Sequence, residues 1–414
     1  MAAHVICSRA AWFTRKIPIS ASVFKVQNIR TLLSDAYYCN ETWQHRNVLP
    51  CSIGELTQKI EGKFTSKEAH KHPVASVDID TYINHIENID QLNQAKDFLY
   101  KYRRSPVAFY FKSYTANTWV RACLQLDALD EAITTVQDKV HYGLFPDNYT
   151  FNLLLDSYLR NEDYQNAAKV AMEMMTQEVL SPTQRLSQLL ALYACHQYMK
   201  SHATMEDDIN KQLGMTLIDC TLGQDSTIAR TVCLIGHTMV GDIDKTCKII
   251  KTFLSMNSTS CVLTEAIDRV TETFLKQQQQ NESEEDSVII YDVEGEIKTR
   301  DSLRELVRKL SEFSTSDEKL NDIIEPYITS QLSELEQTDI DSYPQLLEEY
   351  YQDAKNSVER LKNARETRLA EMRAKERKIW ELMIGTPGRP LRPPVMTERD
   401  KQIITKQEKY IYVD

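Results

Sequence analysis

Glycine and proline are scarce in this chain. Its 414 residues hold only 10 Gly and 12 Pro, about 5% together against about 12% in average usage. Turns consume those two residues, so a large β-sandwich or barrel is excluded and a mostly helical chain is expected. No stretch approaches the roughly 20 apolar residues a membrane helix requires, so no membrane insertion is expected. No C-x-x-C occurs either: the nine cysteines lie at least twelve residues apart, and the usual zinc and thioredoxin patterns are missing. They read as reduced thiols used as small core residues. Cys233 and His237 share a helix face, which reads as an ordinary packed pair, so no metal is assigned. A phosphate-cradling glycine loop and a nucleophile elbow are also missing. The chain therefore reads as non-catalytic and without a cofactor.

Acids are missing from the first 34 residues, which carry Arg9, Arg15, Lys16, Lys25 and Arg30 among apolar and small side chains. A basic, acid-free start with no continuous apolar stretch has the make-up of a mitochondrial transit peptide, not a secretory signal. Residues 1–34 are assigned to it, with processing expected near Arg30–Ser34. The chain as a whole is acidic, with a net charge of −11. Phosphate binding draws on Lys and Arg, so any RNA contact must use local basic patches.

What is present is helical periodicity. Apolar residues at 42% and charged residues at 26% suit a folded chain. Residues 35–80 form a mixed N-terminal segment, with a short amphipathic helix expected over 54–64. Residues 81–275 are densely helical. Residues 276–300, with four consecutive Gln and an acidic run, read as a disordered acidic linker. Residues 301–384 read as C-terminal helices, over 303–313, 323–335 and a long one from about Pro344 to Met383. Its heptad seam runs through Leu347, Tyr351, Ala354, Val358 and Leu361, gives way at Arg365 and Arg368, and partly recovers at Met372, Ile379 and Leu382. This basic stretch suits a lone charged helix, a contact with a partner helix, or a face lying on RNA. Residues 385–414 hold Pro387, Pro390, Pro393 and Pro394 and should be an extended tail.

The most informative pattern is an internal repeat. Residues 116–150 and 151–185 align at an offset of 35: Asn117 with Asn152, Leu124 with Leu159, Ala132 with Ala167. Each unit parses as helix, turn, helix, and weaker units flank the two. A single helix pair cannot bury its apolar face, so neighbouring pairs must stack. The expected fold is all-α, a solenoid of helix pairs.

A 35-residue unit ending Gly143-Leu144-Phe145-Pro146-Asp147 and followed by Tyr149-Thr150-Phe151-Asn152 resembles the pentatricopeptide repeat. The stretches from Tyr100 to Pro106, Asn117 to Arg121 and Tyr142 to Asp156 extend the likeness. Over about residues 90–175 the chain resembles the pentatricopeptide-type proteins of the mitochondrial small ribosomal subunit, the small-subunit protein twenty-seven family. The resemblance implies a non-catalytic matrix protein that supports mitochondrial translation. It implies contacts with small-subunit ribosomal RNA and neighbouring ribosomal proteins, with transfer or messenger RNA as further candidates. The competing classes are a free mitochondrial RNA-binding factor acting on messenger RNA, and a repeat scaffold that binds only proteins.

In repeats of this type that read single-stranded RNA, a few side chains select each base. The resemblance places Asn117 and Asp147 in those roles, a pairing like that of a uracil-reading repeat. Asn152 holds the first role in the next unit, but Pro182 falls near the second. Lys101, Arg103 and Arg104, interleaved with Tyr100 and Tyr102, are candidates for phosphate contact and stacking. So are Arg365, Arg368, Arg373, Lys375, Arg377 and Lys378 on the late helix. Asn117 and Asp147 could equally cap local backbone groups.

Overall fold

The computed structural model describes residues 32–66, 73–105, 108, 111–202, 206–255, 262–276, 293–313, 315–316 and 318–384. Most of the expected transit peptide, most of the acidic linker and the whole tail 385–414 lie outside the described residues.

The fold is an all-α solenoid of helix pairs. Two short N-terminal helices, α1 (Asn40–Gln44) and α2 (Ile53–Thr65), precede it. The pairs then run α3 (Ser76–Asn84) with α4 (Ile89–Arg103), α5 (Ser113–Gln125) with α6 (Leu129–Gln137), and α7 (Asn148–Arg160) with α8 (Tyr164–Thr176). After them come α9 (Arg185–Ser201) with α10 (Asp207–Cys220), and α11 (Thr227–Val240) with α12 (Ile243–Ser255). A short α13 (Thr264–Val270) is followed by α14 (Val293–Phe313) and by α15 (Leu320–Ile384), 65 residues long. Two-residue segments, Val262–Leu263 and Thr315–Ser316, pair in parallel beside α13.

The repeat is visible in the backbone. Within each of the two best units the chain turns between helices through a left-handed residue, Asp127 at φ 53° and Glu162 at φ 56°, 35 residues apart. The same offset separates the closing hydrogen bonds, Ala128 N–H to Cys123 C=O (2.8 Å) and Asp163 N–H to Tyr158 C=O (3.0 Å). These bonds satisfy carbonyls that the helix ends leave orphaned. Ala132 and Ala167 are fully buried, where small side chains let the second helices approach their neighbours. Gly143 sits at φ 65°, and a Cβ there would lie 2.8 Å from Arg103 Cδ. Backbone conformation and space both call for glycine at that turn.

First helices stack on first helices, α3 on α5, α5 on α7 and α7 on α9, while α6, α8 and α10 form a second row. The long α15 lies along the first-helix row, touching α9, α3 and the turn Asp35–Tyr38. Here the structure differs from the separate helices read over 323–335 and 344–383: one continuous helix spans both. Pro326 and Pro344 lie inside it. An interior proline removes a backbone bond and costs about 3 kcal/mol. Burial of Ile324, Ile328, Leu332, Tyr343 and Leu347 against the solenoid offsets that loss, each large apolar side chain contributing about 1.5–3 kcal/mol. Helix α14 begins at Val293, inside the stretch 276–300 read as linker.

Candidate nucleic-acid interface

The side chains expected to read bases sit on the first helices, facing α15. Asp147 is the N-cap of α7, its Oδ1 accepting from the Thr150 N–H at 2.9 Å and from the Thr150 hydroxyl at 2.5 Å. Asn117 Nδ2 donates to the same Thr150 hydroxyl at 2.8 Å. Thr150 thus joins Asn117 to Asp147, and the other Asp147 oxygen accepts from the Tyr350 hydroxyl of α15 at 2.8 Å. Asn152 donates to the Tyr37 hydroxyl at 3.0 Å, and Tyr37 donates to Asp339 of α15 at 2.8 Å. Asn117 is 0% and Asn152 1% exposed. Each amide donates one hydrogen bond inside the molecule, while both Oδ1 atoms are buried without a hydrogen-bond partner among the described residues, and burial keeps both side chains from a base.

Between these two strings of hydrogen bonds lies an aromatic stack that sequence reasoning did not assign. Tyr149 stands between Tyr37 and Tyr343, with ring centroids 5.1 and 4.3 Å away. Arg121 is buried beside them, its guanidinium 5.0 Å from the Tyr343 ring and 4.7 Å from that of Trp43. Arg121 Nη2 donates to the Tyr38 carbonyl at 2.8 Å and to the Tyr149 hydroxyl at 3.0 Å. A buried cation is costly unless hydrogen-bonded or faced by π-clouds, and this one has both. It ties together the N-terminal turn, the first good repeat and α15. The available signal was an arginine one helical turn after Asn117, on an otherwise apolar stripe.

Carboxylates of α15 bind the N-terminal turn and the start of the first-helix row. Glu336 accepts from the Ser34 N–H at 3.2 Å and from its hydroxyl at 2.6 Å. Asp353 pairs with Lys112. Burial pushes the Asp339 carboxyl above the usual carboxylate range, and neighbouring Asp147 adds to the rise while the Tyr37 hydroxyl opposes it. The N-terminal segment is anchored at the same seam. Leu33 is fully buried, its N–H donating to buried Asp156 at 3.1 Å, and Arg160 reaches Asp156, Asp35 and the Leu33 carbonyl.

Deeper in the same region Asp80 accepts from the Tyr114 hydroxyl at 2.9 Å and from Thr115 Oγ1 at 2.5 Å. Burial pushes its carboxyl up to about 7, against these two hydrogen bonds. A small cavity of about 50 Å³ lies beside it, lined by Trp43, Arg46, Tyr350 and Tyr351 among others. That is room for one or two waters, not for a nucleotide. Among the described residues, no group of three or more His, Cys, Asp or Glu side chains could hold a metal ion. No described helix is long and apolar enough to cross a membrane.

The remaining candidates lie elsewhere, in two separate places. Lys101, Arg103 and Arg104 are at the C-terminal end of α4, in the second-helix row. Arg104 stacks on Tyr100 at 3.6 Å, Tyr100 stacks on His141 at 5.7 Å, and Arg103 lies over Gly143. Lys101 makes a solvent-exposed pair with Asp97 at 2.5 Å. Exposed pairs of this kind exchange easily for other partners, being worth about 0–1 kcal/mol. Arg365, Arg368, Arg373, Lys375, Arg377 and Lys378 lie on the last third of α15, where nearly every side chain is exposed.

Comparison with known proteins gives this geometry a context. A model of the mitochondrial 28S ribosomal protein S27 family matches residues 1–379. The chain is also similar to the mitochondrial pentatricopeptide repeat-containing protein 2 of Mus musculus, at 26% identity over 156 residues, 36% of this chain and 40% of that protein. The Homo sapiens counterpart is 25% identical over 152 residues, 36% of this chain and 39% of that protein. The Xenopus laevis counterpart is 30% identical over 86 residues, 20% of this chain and 22% of that protein. The chain thus spans about two fifths or less of these relatives' length.

Proposed function

This chain belongs to the mitochondrial 28S ribosomal protein S27 family, and from that premise we propose that it is a structural, non-catalytic component of the small subunit of the mitochondrial ribosome. It is a mitochondrial protein of ribosomal and RNA-associated type. The observation that carries the finer reading is the groove filled by α15. A free factor that selects a message needs a row of open readout sites. Here Asn117, Asp147 and Asn152 are engaged by Thr150, Tyr350 and Tyr37 instead. A fixed part of a particle needs no base selection, only a stable shape and local contacts.

Ribosomal RNA would then be met outside the groove, through patches that carry charge and no sequence information. The stacked Tyr100–Arg104 pair with Lys101 and Arg103 suits a phosphate or an unstacked base. Arg373, Arg377 and Lys378, with their charges in solvent, suit phosphates. Neighbouring ribosomal proteins would complete the surroundings.

Sedimentation of a gently lysed mitochondrial extract tests this reading. The chain is expected to travel with the small subunit and to stay there when magnesium chelation parts the subunits. Recovery near the top of the gradient would overturn it and favour a free RNA-binding factor.

A further inference from the structure

The junction of the N-terminal turn, α7 and α15 is rich in carboxylates and poor in cations. Asp156 and Glu336 are buried, Asp339 is half-buried, and Asp35 stands at the rim. Among the described residues, the one cation paired with any of them is Arg160, which reaches Asp156 at 2.6 Å and Asp35 at 2.7 Å. The side chains of Glu336 and Asp339 are met there by neutral donors, from Ser34 and from the Tyr37 hydroxyl. Buried carboxylates are costly without a counter-charge. Burial holds the Asp156 carboxyl above the usual carboxylate range, against Arg160, the Leu33 N–H and the Tyr38 hydroxyl.

The chain enters the fold with two successive nitrogens on these acids. The Leu33 N–H donates to Asp156 Oδ1 at 3.1 Å, and the Ser34 N–H to Glu336 Oε2 at 3.2 Å. Leu33 is also the first fully buried side chain among the described residues, and its carbonyl accepts from Arg160 at 2.8 Å. Leu32 is only half-buried and makes no hydrogen bond to another described residue. The five cations of the acid-free start all lie before it, at Arg9, Arg15, Lys16, Lys25 and Arg30.

We propose that Asp156 and Glu336 form a binding site for the chain's own α-ammonium group, created when the Leu32–Leu33 bond is cut and the basic segment removed. The step is a peptidase-catalysed hydrolysis. The oxygen of water goes to the Leu32 carbonyl carbon, the C–N bond breaks, and both water protons end on the Leu33 nitrogen. Leu32 leaves as a carboxylate and Leu33 carries an ammonium. The cut comes before folding, because Leu33 is buried afterwards. The new group keeps the donor that Asp156 already accepts, and it adds two N–H donors and the positive charge that the junction lacks. A charge-assisted bond is roughly twice as strong as a neutral one. Removal of the basic segment thus tightens the hold of α7 and α15 on the N-terminal turn. Nothing in this site depends on the chain's place in the ribosome.

The test uses the full-length chain with a C-terminal tag, expressed in mitochondria. Mass spectrometry of the N-terminal peptide should show a free amine on Leu33. Any other first residue, or an acetylated Leu33, would overturn the proposal. An amine-reactive reagent is then applied to the native extract across a range of pH, and labelling of Leu33 is read in the same peptide. An ordinary α-amino group titrates at about 8. Pairing with Asp156 and Glu336, beside Arg160, Asp35 and Asp339, should raise the midpoint of labelling by about one pH unit, a tenfold slowing at pH 8. Burial without pairing would lower it instead, so an unmoved or lowered midpoint would also overturn the proposal. Asp156→Asn should bring the midpoint back down. Glu336→Gln leaves the Asp156–Arg160 pair in place and should lower it as well, which keeps the test open if Asp156→Asn fails to fold. A midpoint that stays raised in every folded variant would show that these acids do not hold the ammonium.

Discussion

The two ends of α15 share one helix, one heptad register and opposite fates. From Leu320 to Tyr351 the helix is acidic and sunk in the solenoid groove, with Ile324, Ile328, Leu332 and Tyr343 at 2% exposure or less. From residue 355 onward it is basic and stands almost wholly in solvent. Periodicity does not distinguish them, because both halves carry apolar residues at three- and four-residue spacing. The first half meets a surface built by α3, α5, α7, α9 and the N-terminal turn, which offers apolar side chains and hydrogen-bonding groups. The second half has left that surface behind. Amphipathic spacing marks a face able to pack; what it packs against is decided by the rest of the molecule.

That contrast can be broken from its deepest point. Tyr343→Ala removes a ring stacked on Tyr149 and faced by Arg121. It should cost about 3–5 kcal/mol, as other buried aromatic truncations do. Urea denaturation followed by helical circular dichroism would measure the loss, and a cost under 1 kcal/mol would mean that α15 is not held there.

The next effect is a pH dependence. Asp80 lies beneath Tyr114, whose ring packs against Tyr350 at 5.4 Å. Its carboxyl is held at about 7 when folded, against about 3.9 in an unfolded chain. Between those values the folded state binds a proton that the unfolded state has released. Stability from this group is therefore greatest below about pH 4, falls as pH rises to about 7, and is level above that. The expected loss across the window is on the order of a few kcal/mol. Asp80→Asn should flatten the curve, so urea midpoints of parent and variant compared at pH 5 and pH 8 would show it.

Asp147→Ala should have a smaller effect. It removes an N-cap, typically worth about 1 kcal/mol, together with the Tyr350 contact. If the groove is closed as described, this variant loses stability while RNA cross-linking of the small-subunit particle is unchanged. Lost cross-linking with stability intact would reverse the account of Asp147. The smallest effect belongs to the exposed half. Leu361→Ala in the isolated chain should shift stability by less than about 0.5 kcal/mol, as for an ordinary surface site. A larger loss by thermal melting would show that this part of the seam is covered in the free protein.

The candidate site was legible in part. Asp147 lies where a polar residue just before an apolar helical stripe predicts an N-cap, and it is one. Asn117 and Asn152 could be aligned because the repeat places them 35 residues apart. Their partners could not be read. Tyr37 lies 115 residues from Asn152, and Tyr350 lies 203 from Asp147. No local pattern encodes a bond across that distance. Arg121 escaped notice for the same reason, since the rings that face it come from three separate parts of the chain.

The sequence by itself determined the helices, their pairing and the 35-residue repeat. Those follow from interactions within a few turns: apolar spacing, the left-handed turn at Gly143, and small residues where second helices approach. It also led to the expectation of few RNA-reading positions, since Pro182 supplies no side-chain donor. Only the tertiary structure decided that the groove belongs to α15. It likewise carried the helix through Pro326 and Pro344, which local propensity would have used to end it. Both outcomes come from burial against a surface assembled from distant segments, whose free energy exceeds the local preference it overrides.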